Sequence, residues 1–260
     1  MNDQLLKEIK NIDYSSITKK FEDFLRNQVE INKTNGLILG LSGGIDSSVI
    51  TYLCARVLKE KMLVLVMPDS KISPKEETEA ALKIIDDLGL DYKLLDINLI
   101  VKEYSKYIEP NEYAFGNLRA RVRANILYYY ANVKNLLVVG SSDKSEFLIG
   151  YFTKFGDGSA DILPIVSLYK TQVRELARFL GVSESIIKKK SSPNLWKGHI
   201  AEEEIGAKYE EIDSILYCLI VKKLSIQETS QLTNIEKDTV EKIYQMYKSS
   251  EHKRITAARP

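Results

Sequence analysis

Residues 37–60 read LILGLSGGIDSSVITYLCARVLKE. The run Leu37 to Leu41 is apolar enough for a buried strand, Ser42, Gly43 and Gly44 make a turn, and Ile45 to Glu60 carry apolar residues at helical spacing. A strand, a glycine turn and a helix in that order open an α/β fold. In such a turn glycines let backbone amides approach an anion, and the positive end of the helix dipole favours the same charge. Ser42, Ser47 and Ser48 add hydroxyl donors, and Asp46 sets a carboxylate beside the phosphates, where its oxygens suit Mg2+. The lysine of GxxxxGK[ST] is missing, as is GxGxxG, so neither the Walker loop nor the dinucleotide fingerprint describes this turn. A glycine–serine turn that only caps a helix is the competing reading.

The alternation continues on both sides. Strands are expected at Leu63 to Met67, Lys93 to Ile97 and Leu136 to Gly140, and helices at Pro74 to Leu88, Leu99 to about Ile108, and 117–132. Four buried parallel strands follow from that order. Residues 3–31 have helical spacing with a break at Asp13 to Ser16, making 1–35 a helical lead-in. After Gly150, YFTKFGDGSADILPI is broken by Gly156, Gly158 and Pro164 into a long loop, and a helix resumes at Tyr169. KKKSSPNLWKGHIAE, 188–202, has no period and reads as a mobile lid. The helical part 203–260 holds three short helices up to Tyr247. Its SIQETS and NIEKDTVEKIYQMY segments look like a helix-turn-helix, but their basic residues are balanced by acidic ones, so a helical appendage to one domain, 1–260, is the better reading.

The chain of 260 residues is 44% hydrophobic, with 37 Lys plus Arg against 36 Asp plus Glu. That balance argues against nucleic acid or a membrane as main partner. Cys54 and Cys218 lie far apart without CxxC or histidine companions, which disfavours a disulfide framework or zinc site. The charged N-terminus lacks a signal-like apolar stretch, so the expected compartment is the cytoplasm.

SGGIDSS resembles the pyrophosphatase loop of N-type ATP pyrophosphatases, which implies cleavage of ATP between its α and β phosphates. Three further segments narrow the group: GNLRARVRANILYYYAN at 116–132, GSSDKSEFLIGYFTKFGDGSADILPI at 140–165, and SLYKTQVRELARFLGV at 167–182. They resemble the ammonia-dependent NAD synthetases, and the likeness runs on to SEHKR at 250–254. It implies a Rossmann-like (adenine nucleotide α-hydrolase-like) parallel sheet flanked by helices, with ATP as co-substrate and Mg2+ as cofactor. The carboxylate of nicotinic acid adenine dinucleotide would attack the α-phosphate, and ammonia would then displace AMP.

The same resemblance assigns roles. ATP would meet Leu41, Ser42, Gly43, Gly44, Asp46 and Ser47 of the loop, Met67 against adenine, and Arg123 and Ser141. Lys170 and Ser192 would act on the triphosphate, and Asp46 and Glu146 would share Mg2+. The dinucleotide would meet Asn117, Arg121, Tyr128, Tyr151, Phe152, Lys154, Asp161, Glu204, His252 and Lys253. Asp157, in FGDG, would accept the proton of ammonium. Taken singly, Glu146 also reads as a helix-start charge, Lys170 as a surface lysine, Tyr128 as helix packing and Asp157 as a turn residue; Arg119 reads as a solvated charge.

The family pattern PSAGLWxGQTDExELG is here SSPNLWKGHIAEEEIG at 191–206, with His199, Ile200 and Ala201 in place of Gln, Thr and Asp; Asp143 stands where Asn is common. His199 has no second histidine or cysteine nearby and reads as a polar contact rather than a metal ligand. The resemblance also implies a homodimer with the dinucleotide at the subunit interface. The length leaves no room for a glutaminase domain, so free ammonia is the expected donor, and a separate glutaminase subunit is compatible with that. Two other readings of the ATP loop are a tRNA-modifying ATP pyrophosphatase and an ATP-binding regulator with an altered lid.

Overall fold

The computed structural model describes residues 2–255 and 257. Four parallel strands, β1 (Gly36–Gly40), β2 (Met62–Val66), β3 (Tyr92–Leu94) and β4 (Leu136–Val139), form one sheet in the order β3-β2-β1-β4. Its register sets Leu37 beside Met62 and Leu137. The helices are α1 (Asp3–Lys10), α2 (Tyr14–Ile31), α3 (Ile45–Leu58), α4 (Lys75–Leu88), α5 (Asn98–Tyr104), α6 (Glu112–Lys134) and α7 (Lys144–Ile149). They continue with α8 (Lys170–Leu180), α9 (Glu184–Ile187), α10 (Ala201–Ile205), α11 (Tyr209–Leu216), α12 (Ile226–Thr233) and α13 (Lys237–Ser249).

Successive strand residues point to opposite faces, and on β1, β2 and β4 both faces are apolar because both are covered, whereas the short edge strand β3 is exposed along its length, which corrects the expectation of four buried strands. Leu37, Leu39, Val64 and Val139 pack with α2, α3, α4 and α8 on one side. Ile38, Leu63, Leu65 and Val138 pack with Val101 of α5 and Val122 and Ala131 of α6 on the other. A third cluster joins Leu5 and Ile9 of α1 to Tyr209, Ile212 and Ile215 of α11 and Ile243 of α13. The helical C-terminal part is thus seated on the first helix and on α8, and α12 and α13 fold back on α11 rather than presenting a free recognition helix.

Boundaries depart from the expected ones where side chains cap the backbone. β3 stops at Leu94 because Asp96 accepts from the Ser70 and Asn98 N–H groups (3.1 and 2.9 Å) and turns the chain into α5. α6 is longer than 117–132 because Asn111 caps its start, accepting from the Ala114 N–H, and left-handed Asn135 ends it. Asp13 caps α2 and makes the expected break. A single-turn α10 precedes the three C-terminal helices. Cys54 and Cys218 are buried free thiols. Among the described residues no helix is long and apolar enough to cross a membrane.

All four strands deliver their carboxyl ends to one edge, and β1 and β4 part there, the switch point where ligands of open α/β sheets collect. Gly43, in the turn after β1, has φ +81° and a Cβ there would sit 2.1 Å from the Glu77 carbonyl oxygen. Gly43→Ala should therefore cost about 2 kcal/mol or more in urea unfolding. Gly181→Ala, at φ +82° with open space around it, should cost only about 1 kcal/mol.

Candidate active site at the carboxyl edge of the sheet

A cavity of about 630 Å3 opens over the carboxyl ends of β1, β2 and β4. The turn after β1 is stiffened from within. The Ser42 and Ser47 hydroxyls bond at 3.1 Å, Gly44 N–H donates to Ser42 Oγ, and the Ser47 and Ser48 hydroxyls donate to the Gly44 carbonyl. Leu41, Ser42, Gly44, Asp46, Ser47, Met67, Arg123, Ser141 and Ser192 stand in the cavity wall. Gly43 does not; its lack of a side chain serves the close approach to Glu77. Arg123 Nε donates to the Met67 carbonyl at 2.8 Å, tying α6 to the end of β2. Burial lowers Arg123 to about 10, which leaves it charged at neutral pH.

The polar centre lies behind this wall. Lys170, the first residue of α8, has no exposed surface, and its Nζ stands 2.7 Å from Asp46 Oδ2, 2.8 Å from Asp143 Oδ2 and 2.9 Å from Glu146 Oε1. Tyr209 donates from its hydroxyl to the same Glu146 oxygen at 2.9 Å, with its ring 5.0 Å from the ammonium. Lys170 is therefore neither a surface lysine nor a residue of the cavity wall: it is the counter-ion of three carboxylates. Burial by itself would lower Lys170, but Asp143, Asp46 and Glu146 outweigh it and hold its pKa well above the ordinary value. The carboxylates outnumber the cation, and burial, with their mutual repulsion, raises Asp143 and pushes Glu146 up to about 8, against the pull of Lys170. Among the described residues no set of three His, Cys, Asp or Glu side chains forms a ready metal cage, since these three converge on an ammonium. Asp46 Oδ1, however, is buried without a hydrogen-bond partner.

Of the residues expected at the dinucleotide, Asn117, Tyr151, Phe152, Asp157, Glu204, His252 and Lys253 line the same cavity. Thr153 organises two of them, donating from Oγ1 to Asn117 Oδ1 (2.6 Å) and from its N–H to Asp157 Oδ1 (2.9 Å). The Asp157 side chain is open to the cavity, yet the surrounding walls raise its carboxyl above the ordinary aspartate range while the Thr153 amide opposes the shift. Lys253 donates to the Gly150 and Phe152 carbonyls (2.7 and 3.0 Å), pinning the C-terminal segment on the long loop. Arg121, Tyr128, Lys154 and Asp161 are not in the wall. They form two separate pairs beside α6, in which Arg121 donates to the Lys154 carbonyl (3.3 Å) and Tyr128 to Asp161 Oδ1 (3.2 Å). Asp161 also accepts from the Val138 N–H at 2.7 Å, which gives it a part in holding β4.

The segment 188–202 has no regular structure before α10 and lies over the cavity, as its composition suggests. It is anchored at both ends. Asn194 donates to Glu77, Lys189 pairs with Glu77 at 2.5 Å, and the Leu195 carbonyl accepts from Arg119 at 3.0 Å. Arg119 also pairs with Asp69 at 2.8 Å, both largely buried. This corrects the expectation of a solvated charge: sequence spacing shows a basic stripe on α6 but not Asp69 in the loop after β2, which pairs with it. His199 is buried, stacks on Trp196 at 3.6 Å, and shares its Nε2 with Tyr151 (3.1 Å) and Glu204 (2.7 Å). Its carbonyl accepts from the Ser192 hydroxyl. The substitution in the lid thus contacts three of the expected site residues.

Sequence reasoning also missed Asp143 as a member of the charged cluster, and Tyr209 altogether. The D-x-x-E spacing of Asp143 and Glu146 is visible, since Asp143 caps α7 by accepting from the Glu146 N–H. Tyr209, distant along the chain, carries no such local signal.

A parallel α/β sheet with a serine- and glycine-lined anion turn and a buried carboxylate–lysine cluster at the switch point defines a nucleotide-handling enzyme of the Rossmann-like class. Within it, the NAD synthase family model matches residues 17–257, and the chain belongs to that family. It is 49% identical over 252 residues to the NH(3)-dependent NAD(+) synthetase of Hyperthermus butylicus, covering 96% of this chain and 91% of that one. The NH3-dependent NAD synthetase from Campylobacter jejuni superposes with a TM-score of 0.82 at 34% identity, covering 96% of this chain and 99% of that chain. The NMN synthetase from Francisella tularensis does so with the same TM-score at 31% identity and the same coverage.

The raised Glu146 has a consequence for stability. Between the ordinary glutamate value of 4.5 and its folded value of about 8, the folded protein holds a proton that the unfolded chain releases, so this contribution is full at low pH and lost as pH rises through about 8. In thermal unfolding without added metal or nucleotide, the gain in Tm of Glu146→Gln over wild type should be larger at pH 8.5 than at pH 6.

Proposed function

We propose that this chain amidates nicotinic acid adenine dinucleotide to NAD with ammonia and ATP, as a ligase that releases AMP and pyrophosphate. The observation that carries this reading, beside family membership, is that one cavity joins the SGGIDSS turn to the 150–157 loop and the C-terminal His252 and Lys253. Two substrates bound at those places face each other across the carboxyl ends of β1 and β4.

A carboxylate oxygen of the dinucleotide attacks the α-phosphorus of ATP as the bond to the β-phosphate oxygen breaks. The turn amides and the Ser42 and Ser47 hydroxyls receive phosphate oxygens, and Lys170 supplies positive charge from behind them. The chemistry of the donors fits Mg2+: Asp46, with its unpartnered buried Oδ1, and Glu146 are hard oxygen ligands. The ion, when bound there, would neutralise the charge of the departing pyrophosphate. Ammonium has no free electron pair, so it gives a proton to Asp157, whose raised carboxyl suits it to that transfer; nitrogen then bonds to the acyl carbon and AMP leaves. The Ser192 hydroxyl, bonded to the His199 carbonyl, reaches a phosphate by rotating away from it.

A homodimer accounts for two features of the outer surface. Leu99, Tyr107, Tyr129 and Val133, in or next to α5 and α6, are 73%, 77%, 63% and 63% exposed, apolar surface that a partner subunit would cover. Arg121 and Tyr128 of α6, with Lys154 and Asp161 of the loop after α7, would complete the dinucleotide site at that interface. The Francisella likeness carries a second reading, in which the acid amidated is the mononucleotide.

Purified protein supplied with ATP, Mg2+ and nicotinic acid adenine dinucleotide should form NAD with ammonium as the only nitrogen source. Faster turnover of nicotinic acid mononucleotide would select the second reading, and no product from either acid would overturn both. Asp46→Ala should lower pyrophosphate release by at least about 100-fold. Asp157→Asn should slow NAD formation more than pyrophosphate release, by about 10- to 100-fold; equal slowing of the two would remove it from the ammonia step.

A further inference from the structure

The C-terminal part reaches the charged cluster at a second point, on the backbone rather than the side chain of Lys170. Asp213 of α11 has no exposed surface. One of its carboxylate oxygens accepts from the Ser145 hydroxyl, and the other accepts from the Thr171 N–H at 2.8 Å. Ser145 Oγ accepts in turn from the Lys170 N–H at 2.9 Å. The first two amides of α8, which have no acceptor within their own helix, therefore end on one carboxylate, directly or through one hydroxyl.

The local start of α8 does not reach these two amides, because the Gln172 side chain accepts from the Tyr169 N–H at 2.9 Å, one residue earlier. A buried carboxylate is expensive to desolvate, and burial raises Asp213 while the Ser145 hydroxyl, the Thr171 N–H and, through space, Arg174 oppose the shift, so the donors at the start of α8 carry most of what holds its charge. Two acceptor atoms at a fixed separation do what one cap does not: they fix the helix start in rotation as well as position. Lys170 is the residue at that start, and its side chain has three carboxylates to reach.

We propose that Asp213 is a positioning residue for Lys170: through Ser145 and the Thr171 amide it fixes the first turn of α8, and so sets where the Lys170 ammonium stands among Asp46, Asp143 and Glu146. The proposal rests on the reading of Lys170 as the cation behind the triphosphate. Displacing such a group by about 1 Å costs on the order of 100-fold in rate without removing a substrate contact.

The test is pyrophosphate release by wild type, Lys170→Met, Asp213→Asn, Ser145→Ala and the Asp213→Asn/Ser145→Ala pair, each corrected for folded fraction by circular dichroism. Asp213→Asn should lower kcat by about 10- to 100-fold with the KM for ATP within about threefold of wild type. Ser145→Ala, a milder change that keeps the test open should Asp213→Asn fold poorly, should lower kcat in the same direction. The pair should be little slower than Asp213→Asn alone, because both act on one element. Wild-type kcat in the two single variants, with only Tm reduced, would overturn the proposal, as would losses that multiply in the pair. A Lys170→Met enzyme as fast as wild type would overturn the reading of Lys170, whereas an inactive wild type would overturn the assigned reaction instead.

Discussion

One buried ammonium organises this protein. An isolated charge cannot be taken out of water at tolerable cost, and Lys170 is acceptable at the bottom of the site only because three carboxylates meet it. Those carboxylates come from the start of α3 and from the loop and first turn after β4, and Lys170 itself begins α8. The requirement that the four groups meet fixes how these helices approach the sheet edge. The arrangement carries more negative than positive charge, and the excess is what raises Asp143 and Glu146.

The sheet was readable because its residues answer to local rules. Leu37 to Leu39 and Leu63 to Leu65 are continuous apolar runs because each of these strands is covered on both faces, and the glycines and hydroxyls of Ser42 to Ser48 mark a turn into a helix. Strand β3 was less legible: its end is decided by Asp96, whose hydrogen bonds to two backbone amides have no counterpart in a hydropathy pattern. The site was readable in its parts and not in its joints. Glu146 and Lys170 each had a bland alternative, and it is their meeting, with Asp46 and Asp143 also within 3 Å of the Lys170 ammonium, that sets it aside. Tyr209, Asp213 and the Arg119–Asp69 pair depend on contacts between distant segments, which spacing along one helix does not reveal.

The lid shows how a departure from a family pattern can be absorbed. Replacing an amide by the imidazole of His199 keeps a polar ring edge toward Tyr151 and Glu204 and adds a flat face that stacks on Trp196. The segment is then held by its neighbours at both ends, through Glu77 and Arg119 on one side and Glu204 on the other. Glu202 of α10 accepts from the Tyr209 N–H at 3.0 Å, so the far end of the lid is also continuous with the helix that reaches Glu146.

The cluster shared by α1 and α11 has a consequence for synthesis of the chain. Leu5 and Ile9 leave the ribosome early and find their partners Ile212 and Ile215 only after nearly the whole sheet has been made. Closing so long a loop is slow and entropically costly. Until then the sheet and the turn after β1 lack the two contacts that α11 makes with the site, the Tyr209 hydroxyl on Glu146 and the Asp213 carboxylate on the Thr171 amide.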